Sequence, residues 1–128
     1  MTMRYLRFAH LWADDRGTSA VEFAIVAPAF VLLLVGTIYL CMGLFVVGSL
    51  NYAVEEGARC ASVKTTVCSD SPTTVAYAQS QYFGAGATPT FTYSTGACGN
   101  IVSGSLTYVA NLGITKVSVP VTASACFP

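Results

Sequence analysis

The sequence predicts an α+β fold in which a long membrane-spanning helix precedes a small domain of one short helix and about three antiparallel strands. Three observations lead to this prediction. Residues 23–50 form an unbroken run without a charged side chain. Charged residues make up 9% of the chain, whereas about 25% is usual in soluble domains. From Thr90 onward, short segments bounded by turn residues show the pattern of strands.

The charge and hydropathy patterns divide the 128 residues into three parts. Residues 1–17 form a polar leader, residues 18–65 form the long helix with its membrane span at about 23–50, and residues 66–128 form a small disulfide-containing domain. About 20 apolar residues cross about 30 Å of hydrocarbon, so one span fits. The run exceeds the about 7–15 apolar residues of a cleaved secretory signal, so the helix is expected to stay on the mature protein.

The flanking charges and the cysteines predict the orientation of the span. Arg4, Arg7 and Arg16 precede the run, and Arg59 and Lys64 follow it, which weakly favours a cytoplasmic N terminus. Four of the five cysteines follow the run, as expected for a domain in an oxidising compartment. The six basic residues balance the six acidic ones, so nucleic acid is not an expected partner.

The long helix is predicted to begin at a capping residue and to continue past the apolar run. Thr18 or Ser19 is the expected cap, and Glu22 is expected in the first turn, where the helix dipole favours a carboxylate. Pro28 predicts a local kink or an unpaired carbonyl. After the run the spacing becomes amphipathic, with a polar side that carries Asn51, Glu55, Glu56 and Arg59.

The small domain is predicted to start with a loop and a short helix. The loop is TTVCSDSPTT, and Thr73 or Thr74 is expected to cap a helix that runs to about Tyr82. Pro120 predicts an edge strand or a bulge, because proline has no N–H to donate to a sheet. The three predicted strands are Thr90–Tyr93, Ile101–Val109 and Thr115–Ala123.

The four cysteines after the run predict two disulfides, and four cysteines allow three pairings. The preferred pairs are Cys60–Cys68, where the chain turns back over the helix end, and Cys98–Cys126, on neighbouring strands of a meander. Cys60 joined to Cys98 or Cys126 is the alternative. Zinc binding would need a close C-x2–4-C pair, which the spacing lacks, so no metal is expected. Cys41, inside the run, is expected to be a buried free thiol.

The junction between leader and helix resembles a type IV prepilin processing site. Gly17 ends the leader, Thr18-Ser19-Ala20-Val21 follow, and Glu22-Phe23 open the apolar helix. In that family a membrane-embedded aspartyl peptidase cuts after the glycine, so the resemblance implies cleavage between Gly17 and Thr18. Glu22 would then pair with the new N-terminal ammonium of a neighbouring subunit, since an unpaired carboxylate in a span is costly. Alternatively, Glu22 extends its carboxylate to the membrane surface.

The resemblance narrows to the TadE-like pseudopilins of the tight adherence (Flp/Tad) pilus. GTSAVEFAIVAP followed by a long apolar run is similar to the first part of that family's pattern, and EGARCA is similar to the second. The closing TASACFP resembles the end of some members. The matching residues are Gly17, Ala20, Val21, Glu22, Phe23, Ala24, Pro28, Glu56, Gly57, Ala58, Arg59 and Ala61.

The resemblance implies a minor pilin-like subunit or assembly factor in the bacterial inner membrane, with its C-terminal domain periplasmic. The implied partners are other pilins and pseudopilins, a prepilin peptidase, the inner-membrane assembly platform and membrane lipid. The domain of about 60 residues favours a priming, tip or accessory role over the bulk filament. No catalytic residues or cofactor are expected, because the chain offers no nucleophile with a base and no phosphate loop. The alternative is an uncleaved single-pass anchor with a partner-binding periplasmic domain.

Overall fold

The computed structural model describes residues 17–113 and 115–128, and within them it confirms the predicted α+β architecture. The strands form one antiparallel sheet in the order β1-β2-β3. The predicted leader, apart from Gly17, lies outside the described residues. The elements are α1 (Thr18–Val63), α2 (Ser71–Ser80), β1 (Thr90–Gly96), β2 (Gly99–Asn111) and β3 (Lys116–Phe127).

Helix α1 is one continuous element of 46 residues. The predicted caps are wrong, because Thr18 and Ser19 already lie in the helix and Gly17 leads into it. Glu22 is the fifth helical residue and lies just past the first turn, which contains no acidic residue. Pro28 lies inside the helix and has no N–H to donate, so the helix continues with one hydrogen bond fewer there.

The chain divides into two compact units, one ending at Ile38 and the other running from Tyr39 to Pro128. The second unit contains the hydrophobic core, and one face of the C-terminal half of α1 forms part of it. The inward residues recur every three or four positions, the period of a helix face. Helix residues of the core are Val46, Leu50, Ala53, Val54 and Ala58, and its other members are Ala78, Phe91, Val102, Leu106 and Ala123.

The cap of α2 differs from the prediction. Asp70, and not Thr73 or Thr74, is the N-cap, because its carboxylate accepts a hydrogen bond from the Thr73 backbone N–H at 3.0 Å. The Thr73 hydroxyl donates to the same carboxylate, and these two bonds hold the pKa of Asp70 below its usual value. Pro72 fits the first turn, where no N–H is needed. The helix ends at Ser80, two residues before the predicted end.

All three strands are longer than predicted at one or both ends, because cross-strand pairing extends past the runs of β-forming residues. A two-residue turn joins β1 to β2, with Gly96 paired to Gly99. Gly99 has a φ of 119°, which favours glycine. Strand β3 lies at the edge of the sheet, which confirms the edge position predicted from Pro120.

Candidate functional site

The predicted processing junction lies at the start of α1. Gly17 and Thr18 are both exposed. A Cβ added at Gly17 would meet no other atom within 4 Å. Packing in the described chain therefore does not require glycine at this position. A requirement for glycine would arise from recognition by a peptidase.

Glu22 and Phe23 follow the junction on the same exposed stretch of helix. Glu22 is the only charged residue of α1 before Glu55. Its side chain is exposed, and the neighbouring Phe23 ring is 74% exposed. A carboxylate at the end of an apolar helix must reach water or meet a positive charge on another molecule. The geometry of the single chain is compatible with both predicted roles of Glu22.

From Phe23 to Gly36, the helix of the first unit is apolar on every side. Ile25 and Leu32 are 72% and 71% exposed, and the other large side chains of residues 21–35 are exposed as well. Such an apolar surface is unfavourable in water, and a bilayer or the apolar helices of other subunits would bury it. The helix is long and apolar enough to cross a membrane. In the part of the chain that the structure describes, this is the one candidate membrane anchor.

The EGAR motif lies in the second unit, where its residues divide between core and surface. Gly57 and Ala58 are buried, whereas Glu56 is half-buried and Arg59 is exposed. A Cβ at Gly57 would lie 2.9 Å from the Cβ of Ala78 and 3.4 Å from the Val102 side chain. The glycine therefore permits close approach of α1 to both α2 and β2.

The exposed side of the motif borders an open groove of about 610 Å³ between α1 and the edge strand β3. Glu55 and Arg59 line its helix side, and Ser124 and Phe127 line its strand side. The groove is lined by acidic and basic side chains and by the outer edge of strand β3. Its shape suits the docking of an extended segment better than the enclosure of a small substrate.

A chain of hydrogen bonds joins the C-terminal end of α1 to the sheet. The Asn100 amide donates to the Ser62 hydroxyl at 2.9 Å, and that hydroxyl donates to the Phe127 carbonyl at 3.1 Å. The Tyr93 hydroxyl donates to the Asn100 side-chain oxygen. Sequence reasoning missed these residues, although Ser62 lies one turn from the inward-facing Ala58.

Two further contacts join α1 to the rest of the second unit. The Phe83 backbone N–H donates to the buried Ser49 hydroxyl at 2.9 Å. Toward the N-terminal side, the Tyr39 hydroxyl donates to the Asn111 carbonyl, and the Tyr108 hydroxyl donates to the Tyr39 carbonyl at 3.4 Å. The polar residues Tyr39 and Ser49 within an apolar run are the signal that could have indicated these contacts.

The disulfides join the pairs that the sequence analysis preferred. Cys60 and Cys68 have Cα atoms 5.8 Å apart and close the turn after α1. Cys98 and Cys126 have Cα atoms 6.4 Å apart and join the β1–β2 turn to the end of β3. Cys41 is free, but it is exposed and not buried as predicted. It lies about 200° around the helix from Tyr39 and so points away from the sheet.

The geometry defines a class of protein: a small disulfide-bonded α+β domain built on the second half of an apolar anchoring helix. A family model described as TadE-like protein matches residues 17–59, from the glycine of the junction to the arginine of the EGAR motif. The match covers about a third of the chain and confirms the resemblance to TadE-like proteins over those residues. No curated protein and no solved structure matches the chain.

Proposed function

We propose that this chain is a minor pilin-like subunit, or pseudopilin, or an assembly factor of a Tad/Flp type IV pilus, and that it acts in pilus biogenesis and adherence. One observation carries the proposal: the TadE-like match begins at Gly17, directly before an exposed apolar helix. Its role is assembly through this helix, and it is not an enzyme.

Maturation is the first step of the proposed function. A prepilin peptidase cuts between Gly17 and Thr18 and releases the leader. Because α1 begins at Thr18, the cut would leave a mature chain that starts with the helix itself. The new ammonium would then lie one turn from Glu22, within the range in which charges at a helix end interact.

Assembly is the second step. The apolar surface of residues 18–38 packs against the helices of other pilin and pseudopilin subunits and against lipid. Glu22 pairs with the Thr18 ammonium of a neighbour and sets the axial register, while Phe23 supplies apolar contact at the same depth. The inner-membrane assembly platform then receives the bundle at the base of the pilus, either as a primer or for incorporation into the filament.

The proposed orientation places the two ends of the chain on opposite sides of the membrane. The N terminus is cytoplasmic before cleavage, and the domain from Tyr39 onward lies mainly in the periplasm. The two disulfides support a periplasmic location of the domain, because the periplasm is oxidising. The alternative is an uncleaved anchor whose periplasmic domain binds a partner, and the groove at Glu55 and Arg59 supports that alternative.

The test is complementation of a deletion strain, with pili counted and the partners of the protein co-purified. Wild-type protein should restore pili, whereas Glu22→Ala should insert into the membrane at least as well but restore few. Ser19→Ala is the matched control one turn earlier, because it leaves the charge in place. If Glu22→Ala restores pili and partners fully, the pairing role is wrong; if the deletion strain keeps normal pili, the pilus function is wrong.

A further inference from the structure

The β2–β3 hairpin lies alongside α1 over the whole length of the second unit. At one end of β2, Asn100 bonds to Ser62; at the other, Asn111 accepts from Tyr39. The helix from Tyr39 to Ser62 is about 35 Å long at 1.5 Å per residue. The strand from Asn100 to Asn111 is about 37 Å long at 3.4 Å per residue. The two lengths agree, so the turn of the hairpin lies level with Tyr39.

Exposed apolar side chains concentrate at that end of the hairpin. We call Val109, Leu112, Val117 and Val119 the apolar tip; each is between 41% and 51% exposed. The opposite end of the same two strands presents a hydrogen-bonded pair of serine hydroxyls at 3.0 Å. On α1, the residues beside the tip are also exposed and apolar: Leu40, Met42, Leu44 and Phe45.

The residues with which α1 begins in the second unit are long enough to cross a headgroup layer. A hydrocarbon core of about 30 Å with both headgroup layers measures about 40–45 Å, so one headgroup layer is about 5–8 Å thick. Residues 39–45 of the uncharged run rise about 10 Å. Val46, Ser49 and Leu50, at the end of the run predicted to span the membrane, are instead buried in the protein core. The part of α1 beside the apolar tip therefore corresponds to the headgroup layer.

We propose that the apolar tip inserts into the interfacial layer of the same bilayer that α1 crosses, so that lipid covers it. The inference rests on the proposed membrane anchoring. Tyr39 and Tyr108 lie at this level, and tyrosine is enriched at membrane interfaces. The exposed Lys116 follows the hairpin turn and suits anionic headgroups. The hairpin thus gives the domain a second membrane contact besides its helix, which would fix its height and tilt above the bilayer.

Depth-dependent fluorescence quenching tests the proposal on the full chain in vesicles of phosphatidylcholine and phosphatidylglycerol. The single native tryptophan is removed as Trp12→Phe, and one tryptophan is introduced by Val119→Trp in the tip. Thr95→Trp, on an exposed strand position at the far end of the sheet, is the control outside the membrane. Phe30→Trp, within α1, is the control inside it. Val117→Trp repeats the measurement on the same face of β3.

The expected result is a blue-shifted Val119→Trp emission, quenched most by lipids brominated near the headgroup end of the acyl chain. Phe30→Trp should be quenched most by lipids brominated deeper, and Thr95→Trp should be quenched by neither. If both tip variants behave like Thr95→Trp while Phe30→Trp is quenched, the anchor stands and the tip proposal is wrong. An emission that is blue-shifted but unquenched at both tip positions would assign the tip to a protein contact and overturn it too. An unquenched Phe30→Trp would overturn the membrane anchor itself.

Discussion

The two halves of α1 form one helix but depend on different surroundings. Residues 23–36 are apolar around the whole circumference and exposed, whereas residues 39–63 bury one face in the domain core and leave the other face outside it. The second half is stabilised within the chain by packing and hydrogen bonds. The large apolar side chains of residues 21–35 are exposed in the part of the chain that the structure describes, so the stability and function of the first half depend on lipid or on other subunits.

The largest expected effect contrasts a core leucine with an exposed one. Leu50 is 0% exposed, so Leu50→Ala should lower the free energy of unfolding of the domain by about 2–5 kcal/mol. Leu32→Ala makes the same chemical change in the first half and should leave that free energy unchanged within about 0.5 kcal/mol. Chemical unfolding of the full chain in micelles, followed by near-ultraviolet circular dichroism, measures both. Equal losses would contradict the contrast between the halves.

The disulfides should stabilise the second unit unequally. The Cys98–Cys126 bond closes a separation of 28 residues and the Cys60–Cys68 bond one of 8. On the chain-entropy model each contributes about 2–4 kcal/mol, with the longer loop giving more. The double variants Cys98→Ser/Cys126→Ser and Cys60→Ser/Cys68→Ser compare them by their unfolding midpoints. Non-reducing peptide mapping of the wild-type protein checks the pairing, and a Cys60–Cys98 or Cys60–Cys126 peptide would refute it.

The smallest contrast uses two glycines of the same helix. Gly57→Ala places a methyl group 2.9 Å from Ala78 and should cost about 1–3 kcal/mol of domain stability. Gly36→Ala meets nothing within 4 Å, and it should favour the helix by about 0.5–1 kcal/mol. The midpoint temperature of thermal unfolding, measured for the domain in micelles, should therefore fall for Gly57→Ala and not for Gly36→Ala. A stabilising Gly57→Ala would show that the helix does not pack as closely as described.

The element order and the edge strand could be predicted because they depend on local patterns. The uncharged run predicts a long helix whatever surrounds it, and Pro120 predicts an edge strand or a bulge because it has no N–H to donate. The Asp70 cap had a local signal too, an aspartate two residues before Pro72, but the threonines that follow offered competing caps.

The contacts between α1 and the sheet could not be predicted in the same way. The bonds from Ser62 to Asn100 and from Tyr39 to Asn111 depend on how the strands align with the helix, and no spacing along the chain encodes that alignment. The exposure of Cys41 has the same origin, because the side of α1 that meets the sheet decides which residues of the run are buried. Apolar composition alone does not distinguish the residues of the run that are buried from those that are exposed.

The mass of the mature chain tests the central claim most directly. The protein is expressed in its host with a prepilin peptidase, and the N-terminal peptide is identified by mass spectrometry. We expect a chain that begins at Thr18, and a full-length product for Gly17→Val, whose folded domain should be unaffected because a side chain at position 17 meets no other atom within 4 Å. Loss of processing in a peptidase-deficient strain is the control. A wild-type chain that begins at Met1, or normal processing of Gly17→Val, would contradict the account.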